Sequence, residues 1–494
     1  MTENYTVTQG TVQAGDPHVC SDGNARNNLV YSVYEALVAR DGVGFKPCLA
    51  RSWAVEPDGL TWGFQLREGV RFHNGDRLKA SDVVASLRRV VDPRIGGAYG
   101  TQGVYAGYIG DAEFTAPRGD TVRIRTGEPM ADLLDLLSEM PIGPEAELDR
   151  LPGEYVGTGP FQVGKMSRDE AVLEPFRGHW RGAPGVGEVA WLAEPDPVER
   201  ARMVLDREAD LACIVGPKGK ELVLGDGGQV ASLDSGLCII FLLNCMRGPC
   251  ADRRVRQALN YGVDVQDIIR SVVQGEARRL SGFVTPHHLG FDPDTEPYLH
   301  DPGRARRLLS EAGYGDGMRL VMDVPTSMPD EAPQLASALE RQYAEIGVEA
   351  EAVHHGDRPA YSEMVRGKRI HDLCCFDSSP RSTFRVLREK LHSGLRGPWW
   401  MGYSSPEVDR LTWEAQRTFG YDARQRIYRR IYRTVTGDAP WLFLYRPTYH
   451  WAVGKRLEGW SPDPDGLVRI GRGGTRGPRG GPRVVPPHLV WRGS

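Results

Sequence analysis

The 494-residue chain lacks any run of the roughly 18 apolar residues that a membrane-spanning helix needs. Its richest apolar stretch, Leu237 to Cys245, is only strand-sized. A secretory signal is also missing from the start, because Met1-Thr2-Glu3-Asn4-Tyr5-Thr6-Val7-Thr8 has neither a basic segment nor an apolar one. Cys20 follows Asp16-Pro17-His18-Val19, which is not a lipoprotein cleavage site. The expectation is a cytoplasmic chain, a mature form, or a reading frame that begins late. There is no surplus of either charge: 61 Lys and Arg against 65 Asp and Glu leave a formal net charge of -4. That balance excludes a dedicated nucleic-acid binder, which would be markedly basic. The eight cysteines form no pair of CxxC units, so a structural zinc site is not expected.

Catalytic motifs are absent as well. No GxSxG, HExxH, GxxxxGK[ST] or GxGxxG occurs in a strand–helix setting. His287-His288 and His354-His355 are adjacent pairs, whereas metal ligands on a helix prefer i, i+4 spacing, so both pairs are expected on loops. No catalytic residue, metal or organic cofactor is expected. A hydrolase remains a remote alternative without a nucleophile–base pair to support it.

With 40% hydrophobic and 26% charged residues, the chain has the composition of a folded protein of about three domain-sized units. Strand-like and helix-like segments interleave, which predicts an α/β fold. Tyr5 to Gln9 and Thr61 to Leu66 read as strands, and Asn27 to Val38 has helical spacing. Ser81 is placed to cap a helix that stops near Asp92-Pro93. Asp264 and Asp301-Pro302 open two further helices, the second ended by Gly313. Cys238, Cys245 and Cys374 read as buried thiols, and Cys374-Cys375 would face opposite ways in a strand. Cys245 and Cys250 could pair in an oxidising compartment. The Gly, Arg and Pro of residues 471–494 carry too little apolar surface for a core and read as a disordered tail.

One constellation spans the chain. Residues 31–38 read Tyr-Ser-Val-Tyr-Glu-Ala-Leu-Val, followed by Pro47-Cys48-Leu49-Ala50-Arg51-Ser52-Trp53. Leu66-Arg67-Glu68-Gly69-Val70-Arg71-Phe72-His73-Asn74-Gly75 and Ala80-Ser81-Asp82-Val83 come next. Then follow Gly157-Thr158-Gly159-Pro160-Phe161, Asp210-Leu211, Asp252-Arg253-Arg254-Val255-Arg256-Gln257-Ala258-Leu259, and Asp301-Pro302 through Glu311-Ala312-Gly313-Tyr314. In this order the blocks resemble the family 5 extracellular solute-binding proteins of ABC importers, of the oligopeptide, dipeptide and nickel-binding type. Most of these residues read as scaffold: Phe72 to Gly75 as a turn, and Gly157 to Pro160 as a structural turn, since Pro160 does not suit a phosphate loop.

The resemblance implies a two-lobed, periplasmic-binding-protein-like fold with an extra subdomain in the first lobe. Lobe I would comprise residues 1–44, 156–237 and 445–470, with the extra subdomain at 45–155 and lobe II at 238–444. The chain would cross outward through Cys238 to Asn244 and return through Trp441 to Tyr449. It further implies capture of a small solute (a peptide, opine or metal chelate) in the cleft between lobes. Delivery would be to an ABC permease and ATPase complex, by a monomer at the periplasm or cell surface and without nucleic acid. A cytoplasmic ligand sensor is the alternative.

Peptide binders of the family resemble one another at a W--D--DP--F segment whose acidic residue pairs with the ligand's α-amine. Here Phe376-Asp377-Ser378-Ser379-Pro380-Arg381 stands in that place, with Ser379 where the aspartate would be and Asp377 two residues away. Arg381 adds a cation suited to a carboxylate or phosphate. Trp399, Trp400 and Tyr403 are expected to give an apolar wall with polar tips. The ligand-binding set is therefore Asp377, Ser379, Arg381, Trp399, Trp400 and Tyr403, and the solute is expected to be other than an ordinary free-amine peptide.

Overall fold

In the computed structural model, which describes residues 2–95, 97 and 103–471, the strands and helices group into two units. The first holds the described residues up to Leu233 and those from Tyr449 onward, and the second is Asp234–Thr448. The outward crossing therefore lies in the strand Gln229–Asp234, one strand earlier than expected, and Cys238–Leu243 belongs wholly to the second unit. The return passes through the strand Trp441–Val453, between Thr448 and Tyr449. Beyond Gly471, the expected tail lies outside the described residues. Among the described residues no helix is long and apolar enough to cross a membrane.

A six-residue strand, Cys238–Leu243, organises the second unit. Every residue in it is buried, because helices cover both faces of its sheet. Ile239, Phe241 and Leu243 pack with Leu259, Ile268 and Leu339 on one side. Cys238, Ile240 and Leu242 pack with Trp441, Phe443 and Tyr432 on the other. This alternation is the two-residue period of a strand, and it sends Cys375 to the first side and Cys374 to the second. Leu373–Ser378 and Trp441–Val453 flank the central strand antiparallel. Met318–Pro325 and Val348–His355 run parallel to Leu373–Ser378 and to each other at the sheet's edge.

Asp234, the first residue of the second unit, fastens the passage between units from the inside. Its carboxylate accepts a hydrogen bond from Thr448 Oγ1 at 2.7 Å and lies 3.3 Å from both Arg446 and Arg278. Ser235 N–H donates to Pro447 O at 2.9 Å.

The first unit carries a sheet in which Tyr5–Gln9 pairs parallel with Val189–Ala193 and Leu211–Ala212. A separate four-stranded antiparallel sheet, Ala50–Val55, Thr61–Leu66, Thr121–Arg125 and Glu113–Arg118, falls within residues 45–155. The first helix is Asn24–Val33, shorter than its sequence spacing predicts. It stops where Gly157 and Gly159 press on its last carbonyls. A Cβ at Gly157 would lie 2.0 Å from Val33 O, and one at Gly159 would lie 2.5 Å from Ser32 O. The Gly-Thr-Gly-Pro block is thus glycine-rich for close approach. Its second partner is His73, whose Nδ1 accepts from Gly157 N–H at 3.3 Å and whose Nε2 bonds Gly159 O at 3.0 Å.

Glu35 joins three of the sequence blocks, its own included, to the segment that carries His179 and Trp180. Its buried carboxylate accepts from Trp180 Nε1 at 2.7 Å, Thr158 Oγ1 at 3.2 Å and Cys48 Sγ at 3.6 Å, with His179 Nε2 at 3.5 Å. Burial alone would push its pKa up. The hydrogen bonds and charges from His179, Trp180 and Arg181 outweigh burial and hold it below the usual value.

Capping follows the sequence at Asp264 and Asp301, whose carboxylates accept from Asp267 N at 2.9 Å and Arg304 N at 2.8 Å. Gly313 follows the second helix with φ +94°. Ser81 is not a cap: the helix is Ala80–Val90, and Asp82 reaches back to Lys79 N at 2.8 Å. None of the eight cysteines is in a disulfide, and seven are buried. Burial pushes Cys48, Cys213 and Cys238 up to about 12 and Cys245 to about 11.

Two predictions concern stability. Glu35→Ala strands Trp180, Thr158 and Cys48 without their acceptor, and should lower unfolding free energy by about 3–5 kcal/mol in urea titrations. A loss under 1 kcal/mol would deny Glu35 this role. The second concerns His18, fully enclosed, which accepts from Arg89 at Nδ1 (3.1 Å) and bonds Pro141 O through Nε2 (3.0 Å), so its neutral form is the one fitted. Burial and then Arg89's charge lower its pKa to about 4, against 6.5 for an ordinary histidine. The unfolded chain therefore binds this proton first as pH falls. Stability present above about pH 6.5 is lost toward pH 4, by roughly 3 kcal/mol from this group alone. Denaturation midpoints at pH 7, 6, 5 and 4.5 test it, and His18→Gln should flatten the profile.

Candidate functional site

In the second unit the parallel strands Met318–Pro325 and Leu373–Ser378 end on the same side of the sheet. The carboxyl ends of parallel strands are where open α/β sheets characteristically present ligand-binding groups. Asp377 is the penultimate residue of the second strand and is partly exposed, its side chain at 28%. Arg358, at the first position of the helix Arg358–Arg366, brings its guanidinium to 3.9 Å from Asp377 Oδ1. That guanidinium is held on three sides. It donates to Met328 O at 3.2 Å and to Ser362 Oγ, and it lies over the rings of Tyr361 and Phe376 at 5.5 and 5.7 Å. A fixed, ringed arginine of this kind suits planar anions.

Beyond Asp377 the chain turns sharply. Pro380 O accepts from His288 Nε2 at 2.7 Å, and Ser382 Oγ accepts from Arg385 N–H at 3.4 Å, starting a short helix at Thr383. Ser379 and Arg381 lie in this turn, both half-buried. Arg381 is close enough to contribute to lowering His287's pKa, after burial, the leading cause, and Arg446. His287 Nε2 bonds Asp234 O at 2.9 Å, and His288 Nδ1 bonds Thr285 Oγ1 at 3.0 Å. The His287-His288 pair therefore ties loops together. His354-His355, expected on a loop, ends the strand Val348–His355. His355 Nε2 and His371 Nδ1 both lie 2.9 Å from the buried Asp323 carboxylate. Among the described residues no group of three or more His, Cys, Asp or Glu is arranged to hold a metal ion.

The aromatic cluster is placed differently from the expected wall. Trp399 is a core side chain, 5.0 Å from Phe376 between ring centres. Phe376 and Asp377 project to opposite faces of their strand, so Trp399 and Asp377 are not brought together. Tyr403 is buried in the same core and donates to Asp438 Oδ2 at 2.7 Å. Burial, then Asp438, raises its pKa. Trp400 is half-buried and donates to Tyr403 O at 2.7 Å. The physical reason is composition: this side of the sheet is covered by aromatic and aliphatic side chains from several helices, and the Trp399–Tyr403 segment completes that layer. Arg358 is the residue that sequence reading passed over. Its only local signal is the Asp357-Arg358-Pro359 helix start, where Asp357 caps Ala360 N at 2.9 Å.

Tyr403→Phe therefore tests the core assignment. It should cost about 1–3 kcal/mol of stability by leaving Asp438 a bond short, with ligand affinity unchanged in calorimetry. Unchanged stability with weakened binding would return Tyr403 to the site.

The residues 44–369 match the family of bacterial extracellular solute-binding proteins, family 5. Heme-binding protein A of Haemophilus influenzae is 26% identical, over 91% of this chain and 88% of its own length. The fold matches the ABC transporter-associated periplasmic binding protein DppA of Helicobacter pylori, solved with the peptide STSA, at a TM-score of 0.78 and 22% identity, covering 95% and 96% of the two chains. It also matches AgaA of A.tumefacien R10, solved with agropinic acid, at 0.75 and 21%, covering 92% and 93%. With the family match spanning about two-thirds of the sequence and the two-unit α/β architecture in place, the chain belongs to the family 5 bacterial extracellular solute-binding proteins.

Proposed function

We propose that this chain, as the solute-binding component of an ABC importer, captures a small acidic or amine-blocked solute against the Arg358–Asp377–Arg381 end of its second unit. The carrying observation is that Asp377 is already engaged by Arg358 at 3.9 Å. A ligand α-amine would have to compete with a fixed guanidinium for this carboxylate, and Ser379 offers no charge in its place. A guanidinium held in place by Met328 O and Ser362 Oγ suits a carboxylate or phosphate on the solute. The opine seen with AgaA and the peptide seen with the Helicobacter protein mark the two ends of the chemistry to be separated.

The protein would act as a monomer outside the cytoplasm, handing its solute to a permease and ATPase complex and making or breaking no bond. Ser379 offers a hydroxyl and Trp400 a partly exposed ring at the margin of the site. No metal or organic cofactor is assigned a role.

Calorimetry against di- to pentapeptides, N-acetylated peptides, opines and sugar phosphates tests the reading. Amine-blocked or acidic solutes should bind in the micromolar range, and Arg358→Gln and Arg381→Gln should each weaken them about tenfold or more, the scale of one charge-assisted bond. Micromolar binding of simple peptides, abolished by acetylating their amine and by Asp377→Ala, would overturn it. Mass spectrometry of the solute that co-purifies gives the identity directly.

A further inference from the structure

Trp180 in the first unit is clasped by two arginines. The guanidinium carbon of Arg67 lies 4.1 Å from the indole centre and that of Arg181 lies 4.2 Å from it. Two guanidinium groups that close to one ring cannot share a face, so they sandwich it at a separation of roughly 8 Å, within cation–π range on both sides. The indole cannot rotate away, because its Nε1–H donates to the buried Glu35 at 2.7 Å. Arg67 Nε donates to Cys48 O at 3.2 Å, and Arg181 Nη2 approaches Cys48 Sγ at 3.7 Å. These contacts use one nitrogen of each guanidinium.

Arg181 is exposed and Arg67 and Trp180 are half-buried, so the rim of the sandwich faces solvent. Neither arginine forms a salt bridge with a described carboxylate. Glu35 lies beneath the ring and offsets one of the two charges, which leaves a net positive rim on a chain whose overall charge is -4. The side chains are already held, so little rotamer freedom remains to be lost on binding.

We infer that the Arg67–Trp180–Arg181 rim is a docking point for an acidic protein segment that presents two carboxylates about 7–8 Å apart. The spacing selects the partner. One phosphate or carboxylate shared between the two guanidinium groups cannot give both forks a full bidentate partner, whereas two carboxylates can. Alternate residues of an extended chain lie on one face about 7 Å apart, so an acidic-x-acidic segment meets both arginines at once. An anionic membrane surface is disfavoured, since such surfaces are held by clusters of four to eight basic residues. Tryptophan and arginine are also the residue types that dominate binding energy at protein interfaces. This surface is independent of the solute site and of the solute's identity.

The test is NMR of the full chain with ¹⁵N-labelled indoles, the Trp180 signal among the eleven tryptophans being assigned by its loss in Trp180→Phe. The probe is the acetylated, amidated peptide Gly-Asp-Gly-Asp-Gly, with its single-aspartate analogue and inorganic phosphate as controls. The Trp180 signal should move saturably with the two-aspartate peptide at millimolar concentration. Affinity should fall about threefold to fivefold in Arg181→Gln and again in Arg67→Gln, and should weaken as salt is raised. Should Arg67→Gln fail to fold, Arg181→Gln with Arg181→Lys decides, since lysine keeps the charge but not the stacked fork. No saturable shift at Trp180, or equal affinity for phosphate and the single-aspartate peptide, overturns the inference. Peptide binding that leaves Trp180 unmoved and persists in Arg181→Gln belongs to the solute site and likewise counts against this surface.

Discussion

The first unit depends on one buried carboxylate. Glu35 follows the first helix, and its oxygens reach a cysteine at the start of the four-stranded sheet's chain segment, a threonine in the Gly-Thr-Gly-Pro turn and an indole from the loop after residue 175. None of these segments is adjacent in sequence. A buried charge is tolerated only when its bonds are satisfied, so each segment must arrive in register for the others to be stable. The glycines of the turn complete the constraint from the backbone side, since a side chain there would collide with Val33 O. His73, bonded at both ring nitrogens to the same turn, carries the constraint into the Phe-His-Asn-Gly block. The sequence blocks are thus the visible part of a single junction.

The second unit is held by a different principle. Its central strand is apolar on both faces and its stability comes from burial, which acts without direction. Position within that layer is set by volume and by the two-residue period, and the central strand carries no charged side chain. Asp377 and Arg358 are polar because they stand where the sheet stops. Asp234 is polar for another reason: its carboxylate faces Arg446 and Thr448, near the point where the returning strand leaves the second unit.

What could be read from sequence follows this division. The α/β class, the helix starts at Asp264 and Asp301 and the opposite facing of Cys374 and Cys375 depend on local spacing, and spacing is written in the chain. The Gly-Thr-Gly-Pro and Phe-His-Asn-Gly blocks were legible as structural turns, although their mutual contact was not. Arg358 was not legible as a site residue, because its partner is 19 positions away and becomes a neighbour only where the start of the helix Arg358–Arg366 meets the end of the strand Leu373–Ser378. The Trp399–Tyr403 segment misled for the converse reason: aromatic side chains have the same composition in a pocket wall and in a core, and only the face of the sheet they cover tells them apart. The outward crossing was placed one strand late because Cys238–Leu243 has the stronger apolar signal, while Gln229–Asp234 is only partly buried.

The burial of the cysteines bears on how such a chain would fare in an oxidising compartment. Thiolate, not thiol, exchanges with disulfides. A side chain shifted to about 12, as at Cys48, Cys213 and Cys238, is ionised in only about one molecule in ten thousand at pH 8. Once folded, these three thiols are nearly inert to oxidants of the kind that staple secreted domains. Before folding, the same eight thiols are ordinary and mispair readily. The yield of native protein in an oxidising compartment is therefore a race between collapse of the two cores and thiol oxidation, and the rate of alkylation of the purified protein becomes a clock for its opening.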